Sequence, residues 1–590
     1  MFRKKVLLFL LSAITTSATA QSQASDYTVT IPTQFSPTLS DAQQKINENA
    51  IIVDTTTIKT AIAYNVFSPV YAAQFTPEPI TAPKIGRDQI TRLYRNFIKF
   101  GLGNYWTPYL DFEINNLRST QYAFGVRGFH HSTWGKIKGY APAQHSDSRV
   151  GVFGQKFFKD YTLYASADYN HLMATCYGFQ LDSVLLRMPE FKVNAKNIRR
   201  QYHHANAHVD FSRNSPKDAH VFNQLYSIDY NFITGITNEH QLAFKTDLNK
   251  DIKVAKVTYL NLGGEIGVNY YNNPVSIIFI QAPDKPLLQD NITLNFKPSA
   301  SLNYKEYFLK AGLNFFVHFP VGYKAKVHFY PDIQARLHIV PNIFTVYAGI
   351  DGGLRRNSYL SYVQENPYIT PEWWSPIGFM NEKMRIFGGM KVGLSRSLSI
   401  GAKASYAVCD DMPFFINHEW IFSGSSDKYY TANTFDVVLD NVKCLNLHFD
   451  LSYTYKQQLY LTLNADYNNY SITENLLRPW YKPAFVGNLD MRYILLNKFV
   501  FNFATFLHTG IYYPKFIDGN MGYEKLRLPV CDFNFGFEYL WSKRLAFFAN
   551  VNNFACQRNY YYYDYPTQRI NCLVGVKYNF GGEKVGKKQQ

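Results

Sequence analysis

The chain has 590 residues, 60 Lys and Arg against 44 Asp and Glu, a formal net charge of +16, and 17% aromatic residues, with 46 Tyr and 47 Phe. That length can bury a large core. Such aromatic richness excludes a low-complexity disordered chain and also a helical one, since long helices are built from Ala, Leu, Glu and Lys. Beyond the first twenty residues no apolar run approaches the roughly 18 residues of a transmembrane helix. The cysteines (Cys176, Cys409, Cys444, Cys531, Cys556 and Cys572) lie far apart with no CxxC pair. They specify neither a zinc module nor a disulfide framework and read as packing residues.

At the N-terminus, Arg3, Lys4 and Lys5 precede an apolar stretch from Val6 to Ile14 and a small-residue site at Ala18-Thr19-Ala20. This is the pattern of an export signal over residues 1–20. An exported basic chain is not expected to meet nucleic acid, whereas lipid phosphates are an expected partner. Residues 21–95 are rich in Thr, Ala, Pro and Gln and weakly periodic. They are expected to form an extended periplasmic segment with one short helix near Asp41 to Asn49.

From residue 96 to 580 aromatic and aliphatic residues alternate with Asn, Asp, Thr and Gly. In Tyr161 to Asn170, the residues Tyr161, Leu163, Ala165, Ala167 and Tyr169 share one face, and Thr162, Tyr164, Ser166, Asp168 and Asn170 share the other. Period two means a strand with one apolar and one wet face. Leu459 to Tyr467, Phe499 to Leu507 and Phe533 to Tyr539 repeat the pattern, as does the last strand, where Ile570, Cys572, Val574, Val576, Tyr578 and Phe580 line one face. A β-sandwich and a propeller share this alternation, so the connections decide.

Short turns such as Lys159-Asp160, Pro341-Asn342, Lys456-Gln457, Asn497-Lys498 and Ser542-Lys543 trade places with long connections at Lys138 to Asp147, Gly178 to Arg200, Asn357 to Glu382, Pro514 to Lys525 and Arg558 to Arg569. Short turns at one end and long loops at the other are the asymmetry of a transmembrane antiparallel β-barrel of the outer membrane. About 23 strand candidates appear, but a barrel with both ends in the periplasm needs an even number. Dropping the short Val275 to Gln281 run leaves about 22, within a range of 16 to 22. The Ser542-Lys543 turn, residues 21–95 and a basic tail, 581–590, are expected on the periplasmic side. Trp541 stands where an interfacial aromatic belongs.

The chain resembles the plug-less, TonB-dependent-receptor-like outer-membrane barrels of Bacteroidetes-type bacteria. The resemblance is carried by Phe35-Ser36-Pro37-Thr38-Leu39-Ser40-Asp41, by Phe100-Gly101-Leu102-Gly103-Asn104-Tyr105, and by Tyr347 to Leu354 followed by Asn357-Ser358-Tyr359 and Glu365-Asn366-Pro367. It implies a 22-strand receptor-type barrel over residues 96–580. Residues 21–95 are too few and too irregular for the globular plug of true TonB-dependent transporters. Asp26 to Ile31 is only faintly like a TonB-binding box, so no coupling to TonB is expected.

His130-His131 and His203-His204 suggest metal binding only until strand geometry is considered, because adjacent strand residues point to opposite faces. Asp410-Asp411, placed beyond a strand from Leu398 to Val408, reads as a solvated pair rather than a Ca²⁺ site. No GxSxG, HExxH or P-loop stands in a usable context, so neither an enzyme nor a cofactor is expected. Trp373, Trp374 and Tyr560, Tyr561, Tyr562 and Tyr563, in two long loops, are the candidate ligand contacts, since ring faces stack on ligands while their OH or NH edges hydrogen-bond. Arg187, Lys192, Lys196, Arg199 and Arg200 are the candidate contacts to lipid phosphate. A transport channel or receptor is the expected function. The alternative is an assembly component that binds a periplasmic protein through residues 21–95, where Val66, Phe67 and Phe75 are apolar anchors.

Overall fold

The computed structural model describes residues 96–581 apart from 117–118, 181–194, 197, 214–221, 256–257, 274–289, 321–323, 370–377, 418–432, 518–519 and 527. The signal, the 21–95 segment, the Val275 to Gln281 run, Arg187, Lys192, Trp373, Trp374 and the tail after 581 lie outside the described residues.

The strands in chain order are β1 (Asn96–Gly103), β2 (Thr107–Asn115), β3 (Tyr122–Thr133), β4 (His145–Phe157), β5 (Tyr161–Thr175) and β6 (Arg199–Arg213). Next come β7 (Asn223–Thr234), β8 (Asn238–Ala255), β9 (Thr258–Asn272), β10 (Asp290–Tyr304), β11 (Tyr307–Pro320), β12 (Lys326–Val340) and β13 (Phe344–Asn357). The helix α1 (Tyr359–Glu365) leads to β14 (Gly378–Ser395), β15 (Leu398–Asn417), β16 (Phe435–Tyr455), β17 (Leu459–Ile472), β18 (Phe485–Leu495) and β19 (Phe499–Thr509). A hairpin, β20 (Tyr512–Ile517) and β21 (Asn520–Lys525), precedes β22 (Val530–Tyr539) and β23 (Leu545–Asn552). A second, β24 (Tyr560–Tyr562) and β25 (Tyr565–Pro566), precedes the final β26 (Asn571–Phe580).

Twenty-two of these strands form one antiparallel sheet, from which the two hairpins stand apart. Strand β19 pairs with β22, β23 with β26, and β26 with β1 through Phe100↔Val576 and Ile98↔Tyr578, so the sheet closes on itself. At this seam Gly101 and Gly575 stand opposite each other. A Cβ on Gly575 would meet the Phe100 carbonyl and the Phe548 ring, so the closure needs glycine there.

Alternation in the sequence becomes inside and outside. On β10, Ile292, Leu294 and Phe296 are 43%, 39% and 47% exposed, while Asn291, Thr293 and Asn295 between them are 2%, 3% and 6% exposed. An outward belt of this kind costs roughly 1.5–3 kcal/mol per large side chain in water, a cost hydrocarbon removes. A closed barrel with such a belt satisfies every strand backbone in a bilayer, and this places the chain in the outer membrane. No described helix is long and apolar enough to cross a membrane.

The inner wall is polar and paired across strands. Glu265 takes Lys245 at 2.9 Å and Lys297 at 2.7 Å, Lys310 meets Asp332 at 2.6 Å, and Arg385 reaches Asp351 at 2.6 Å. His448 meets Asp466 at 2.9 Å, and Arg127 meets Asp168 at 2.7 Å.

The predicted turns sit on one rim. Lys456 and Gln457, with φ of 46° and 55°, and Leu496 and Asn497, at 54° and 53°, adopt the left-handed backbone that suits tight hairpins between twisted strands. Trp541, 65% exposed, stands edge-on to Tyr539 and Phe547 at this rim, an interfacial girdle. The loop at 358–377 and the loop at 553–570 share the opposite rim. The length asymmetry has three exceptions there: the connections 104–106, 235–237 and 321–325 are also short. The second is overlain by α1, whose Tyr359 hydroxyl accepts the Ile236 N–H at 3.1 Å.

Candidate functional site: an aromatic cap in the barrel mouth

Helix α1 is seven residues long and its N-terminus is held twice. Ser358 and Ser361 form a capping box, Ser361 N–H donating to Ser358 Oγ at 3.1 Å and Ser358 N–H to Ser361 Oγ at 2.9 Å. The second hold comes from the wall. Glu239 on β8, 1% exposed, accepts Tyr359 N–H at 2.6 Å, Leu360 N–H at 3.3 Å, the Gln241 amide at 2.5 Å and the Tyr271 hydroxyl. Four donors converge on one buried carboxylate, the condition under which a buried charge is tolerated. Tyr202, on the inward face of β6, donates to Pro367 O at 2.8 Å just past the helix.

The tyrosine-rich loop folds inward against the same helix. Tyr562 packs against Phe435 at 5.1 Å, Tyr481 at 5.5 Å and Tyr368 at 6.1 Å between ring centroids, and its hydroxyl donates to Glu365 O at 2.6 Å. Tyr565 stacks on Tyr368 at 4.0 Å and donates to Asn433 O at 2.6 Å. Asn433 returns its amide to Gly178 O and Tyr563 O, each at 2.7 Å. Lys482 adds an ion pair to the Glu365 carboxylate. Connections between six different strand pairs thus join into one buried cluster that includes the fully buried Trp480, Phe414, Phe415 and Ile369.

Of the predicted loop contacts, Tyr560 opposes Pro566 in the hairpin and Tyr562 lies within this cluster. Tyr563 packs on Tyr513 at 4.7 Å. Tyr561 reaches the inner wall, 6.2 Å from Phe506 and 5.8 Å from His508, with its hydroxyl buried and unpartnered. Burial pushes the phenols of Tyr362, Tyr368, Tyr481, Tyr562 and Tyr565 well above the ordinary tyrosine range. Tyr359 is pushed up to about 12 by the same cause. These side chains pack and donate hydrogen bonds; none is activated toward ionisation.

Of the predicted lipid-phosphate contacts, Lys196 is exposed and Arg199 donates to the Gln144 amide oxygen at 3.2 Å. Arg200 has the inward parity of Tyr202, and its charge lies near Tyr202 and Tyr359. The histidine pairs split as strand geometry requires. His131 turns inward, 6.3 Å from Tyr109, and His204 bonds Asn231 at 2.9 Å. His130 turns outward to Ser148 at 2.8 Å, and His203 outward onto His171 at 4.7 Å. Asp410 and Asp411 are a correction: strand β15 continues through them to Asn417, bulging between Cys409 and Met412 where Asp411 takes φ 55°. Asp410 pairs with Lys383 at 2.7 Å. Among the described residues no group of three or more His, Cys, Asp or Glu gathers to hold a metal, and none of the six cysteines forms a disulfide. Sequence reasoning missed Glu239, Tyr271 and Asn433, single polar residues whose partners lie far away in the chain.

Neither a protein-family model nor a curated protein matches this sequence. Solved structures do match. The ferric-catecholate import receptor Fiu from E. coli K12 aligns at 10% identity and a TM-score of 0.58, over 83% of this chain and 82% of its own. The FrpB iron transporter from Neisseria meningitidis aligns at 9% identity and 0.58, over 82% and 81%. The pyoverdine outer membrane receptor FpvA from Pseudomonas aeruginosa aligns at 10% identity and 0.58, over 84% and 80%. The chain has the barrel fold of these receptors.

Proposed function

We propose that this protein is an outer-membrane transport receptor whose long loops form a gate in the barrel mouth. The observation that carries this reading is the inward cap: α1, Tyr368, Tyr481 and the 560–566 hairpin fill one end of a barrel whose wall is polar and ion-paired. A barrel this wide holds water unless filled. A mere membrane anchor needs neither a wet wall nor a latched mouth. Ferric-catecholate import and pyoverdine reception by the structural neighbours agree with uptake of a solute. Residues 21–95 are the segment available to close the lumen from the periplasmic side, and no separate plug or TonB coupling is required by this reading.

Conductance of the purified barrel in planar bilayers tests it, with and without residues 21–95 and with Glu239→Ala to free α1. The expected result is small, gated openings in the full chain and larger ones when the segment or the latch is removed. Silence in every form overturns the channel and favours assembly with a periplasmic partner.

A further inference from the structure

Four inward side chains at the same end of the wall stand together, each with one buried polar atom unpartnered. Asn291 and Thr293 lie on β10, His318 on β11 and Arg356 on β13; Asn291, Thr293 and His318 are 2%, 3% and 5% exposed. Thr293 and His318 are cross-strand partners. The Arg356 guanidinium lies between the rings of Tyr271 and Phe379, 4.1 Å from each centroid, and His318 meets Phe379 edge-on at 4.6 Å. One guanidinium nitrogen donates to Asn291 Oδ1. Arg356 Nη1, Asn291 Nδ2, Thr293 Oγ1 and His318 Nε2 are all buried with no hydrogen-bond partner.

The balance of charge there is lopsided. Arg356 keeps its proton under all ordinary conditions, and two rings fix the plane of its fork. Among the described residues, Glu239 is the carboxylate whose charge acts on Arg356, and its oxygens already accept from Tyr271, Tyr359, Leu360 and Gln241. Lys326 and His328, the other charged or titratable neighbours of His318, are also basic. A buried donor left without an acceptor is destabilising, so an acceptor-rich group entering the cluster is favoured. A fixed guanidinium edge flanked by amide, hydroxyl and imidazole donors matches an oxyanion, which accepts several hydrogen bonds and carries the missing negative charge.

We propose that Arg356, Asn291, Thr293 and His318 form an oxyanion-binding site in the barrel wall, taking a carboxylate or phosphate group of a small anionic solute. The site deepens the transport reading and rests on it for its purpose. Binding is measured without conductance, so the two can fail separately.

The test is isothermal titration of the full chain in detergent at neutral pH with inorganic phosphate and, separately, citrate. Saturable binding of one probe is expected, and which probe binds tells phosphate from carboxylate. Arg356→Gln should weaken it at least about tenfold and Thr293→Val several-fold. Asn291→Asp should abolish it by supplying an internal carboxylate to Arg356. Arg336→Gln, a wall residue 4.8 Å from Phe308, should leave it unchanged. Folding of each variant is checked by its heat-modifiable gel mobility. If Arg356→Gln does not fold, the near-isosteric Thr293→Val and Asn291→Asp decide. No saturable binding of either probe to the wild type, or undiminished binding in folded Thr293→Val and Asn291→Asp, overturns the site.

Discussion

The Tyr562 hydroxyl donates to the backbone carbonyl of Glu365 at 2.6 Å, across 197 residues of chain. The bond joins the last long loop to the C-terminal end of α1, whose other end is held by Glu239. The helix is therefore pinned between the wall and the neighbouring hairpin. Loss of either contact loosens it.

Glu239→Ala should free that helix without dissolving the barrel. The substitution leaves the Tyr359 and Leu360 N–H groups and the Tyr271 hydroxyl without their acceptor, costing roughly 1–3 kcal/mol locally. Hydrogen exchange at residues 359–365 should accelerate about 10- to 100-fold, while exchange in strands such as β16 stays slow and gel mobility still shifts on boiling. Unchanged exchange in α1 would mean that the capping box alone holds it.

Strong alkali should open the cap. Burial raises the phenols of Tyr359, Tyr362, Tyr368, Tyr481, Tyr562 and Tyr565 above their unfolded value near 10. A folded pKa above the unfolded one means that the packed state holds the proton more tightly, so its contribution to stability is complete below pH 10 and falls as pH rises beyond it. Absorbance of tyrosinate should show a delayed, cooperative fraction well above the ordinary tyrosine range. Tyr562→Phe removes only the bond to Glu365 and should move that step to lower pH. A single smooth titration near pH 10 would contradict the buried cluster.

Gly575→Val should block barrel closure. Its side chain would collide with the Phe100 carbonyl and the Phe548 ring at the seam, an overpacking penalty of about 1–3 kcal/mol or more. Gly154→Val is the control, with open space at its Cβ. The seam variant should refold poorly in detergent, read as loss of the heat-modifiable band, and the control should refold normally.

Topology is testable with the native thiol of Cys556, which is exposed in the 553–570 loop while Cys176, Cys409 and Cys444 are buried. A membrane-impermeant maleimide applied to intact cells should label the protein, and Cys556→Ser should remove most of that label. Labelling of a cysteine introduced at Lys543 instead would reverse the orientation of the barrel.

Removing Arg385 should weaken the wall. Its side chain is 7% exposed and reaches Asp351 through two bonds, at 2.8 and 2.6 Å. Arg385→Gln leaves Asp351 without its charged donor, and the loss is about 1.5–3 kcal/mol, read as a lower denaturant midpoint for refolding.

The barrel is legible in local sequence. Which face of β10 or β17 meets lipid is written in a period-two pattern readable over ten residues, and the tight turns at Lys456-Gln457 and Asn497-Lys498 declare themselves locally. Parity then makes the strand number even. Only the tertiary structure decided what the long loops do. Tyr560 to Tyr563 read as candidate ligand contacts in a long loop, and it took Phe435, Tyr481 and Glu365 from distant parts of the chain to turn Tyr562 inward. Glu239 and Arg356 look like ordinary wall residues in the sequence. Glu239 becomes a latch because Tyr359, 120 residues later, folds back onto it. Arg356 becomes a candidate site because three strands bring uncompensated donors around it. Local alternation records the solvent each residue faces, whereas a buried partner across the lumen is chosen by closure of the whole sheet, which leaves no periodic trace.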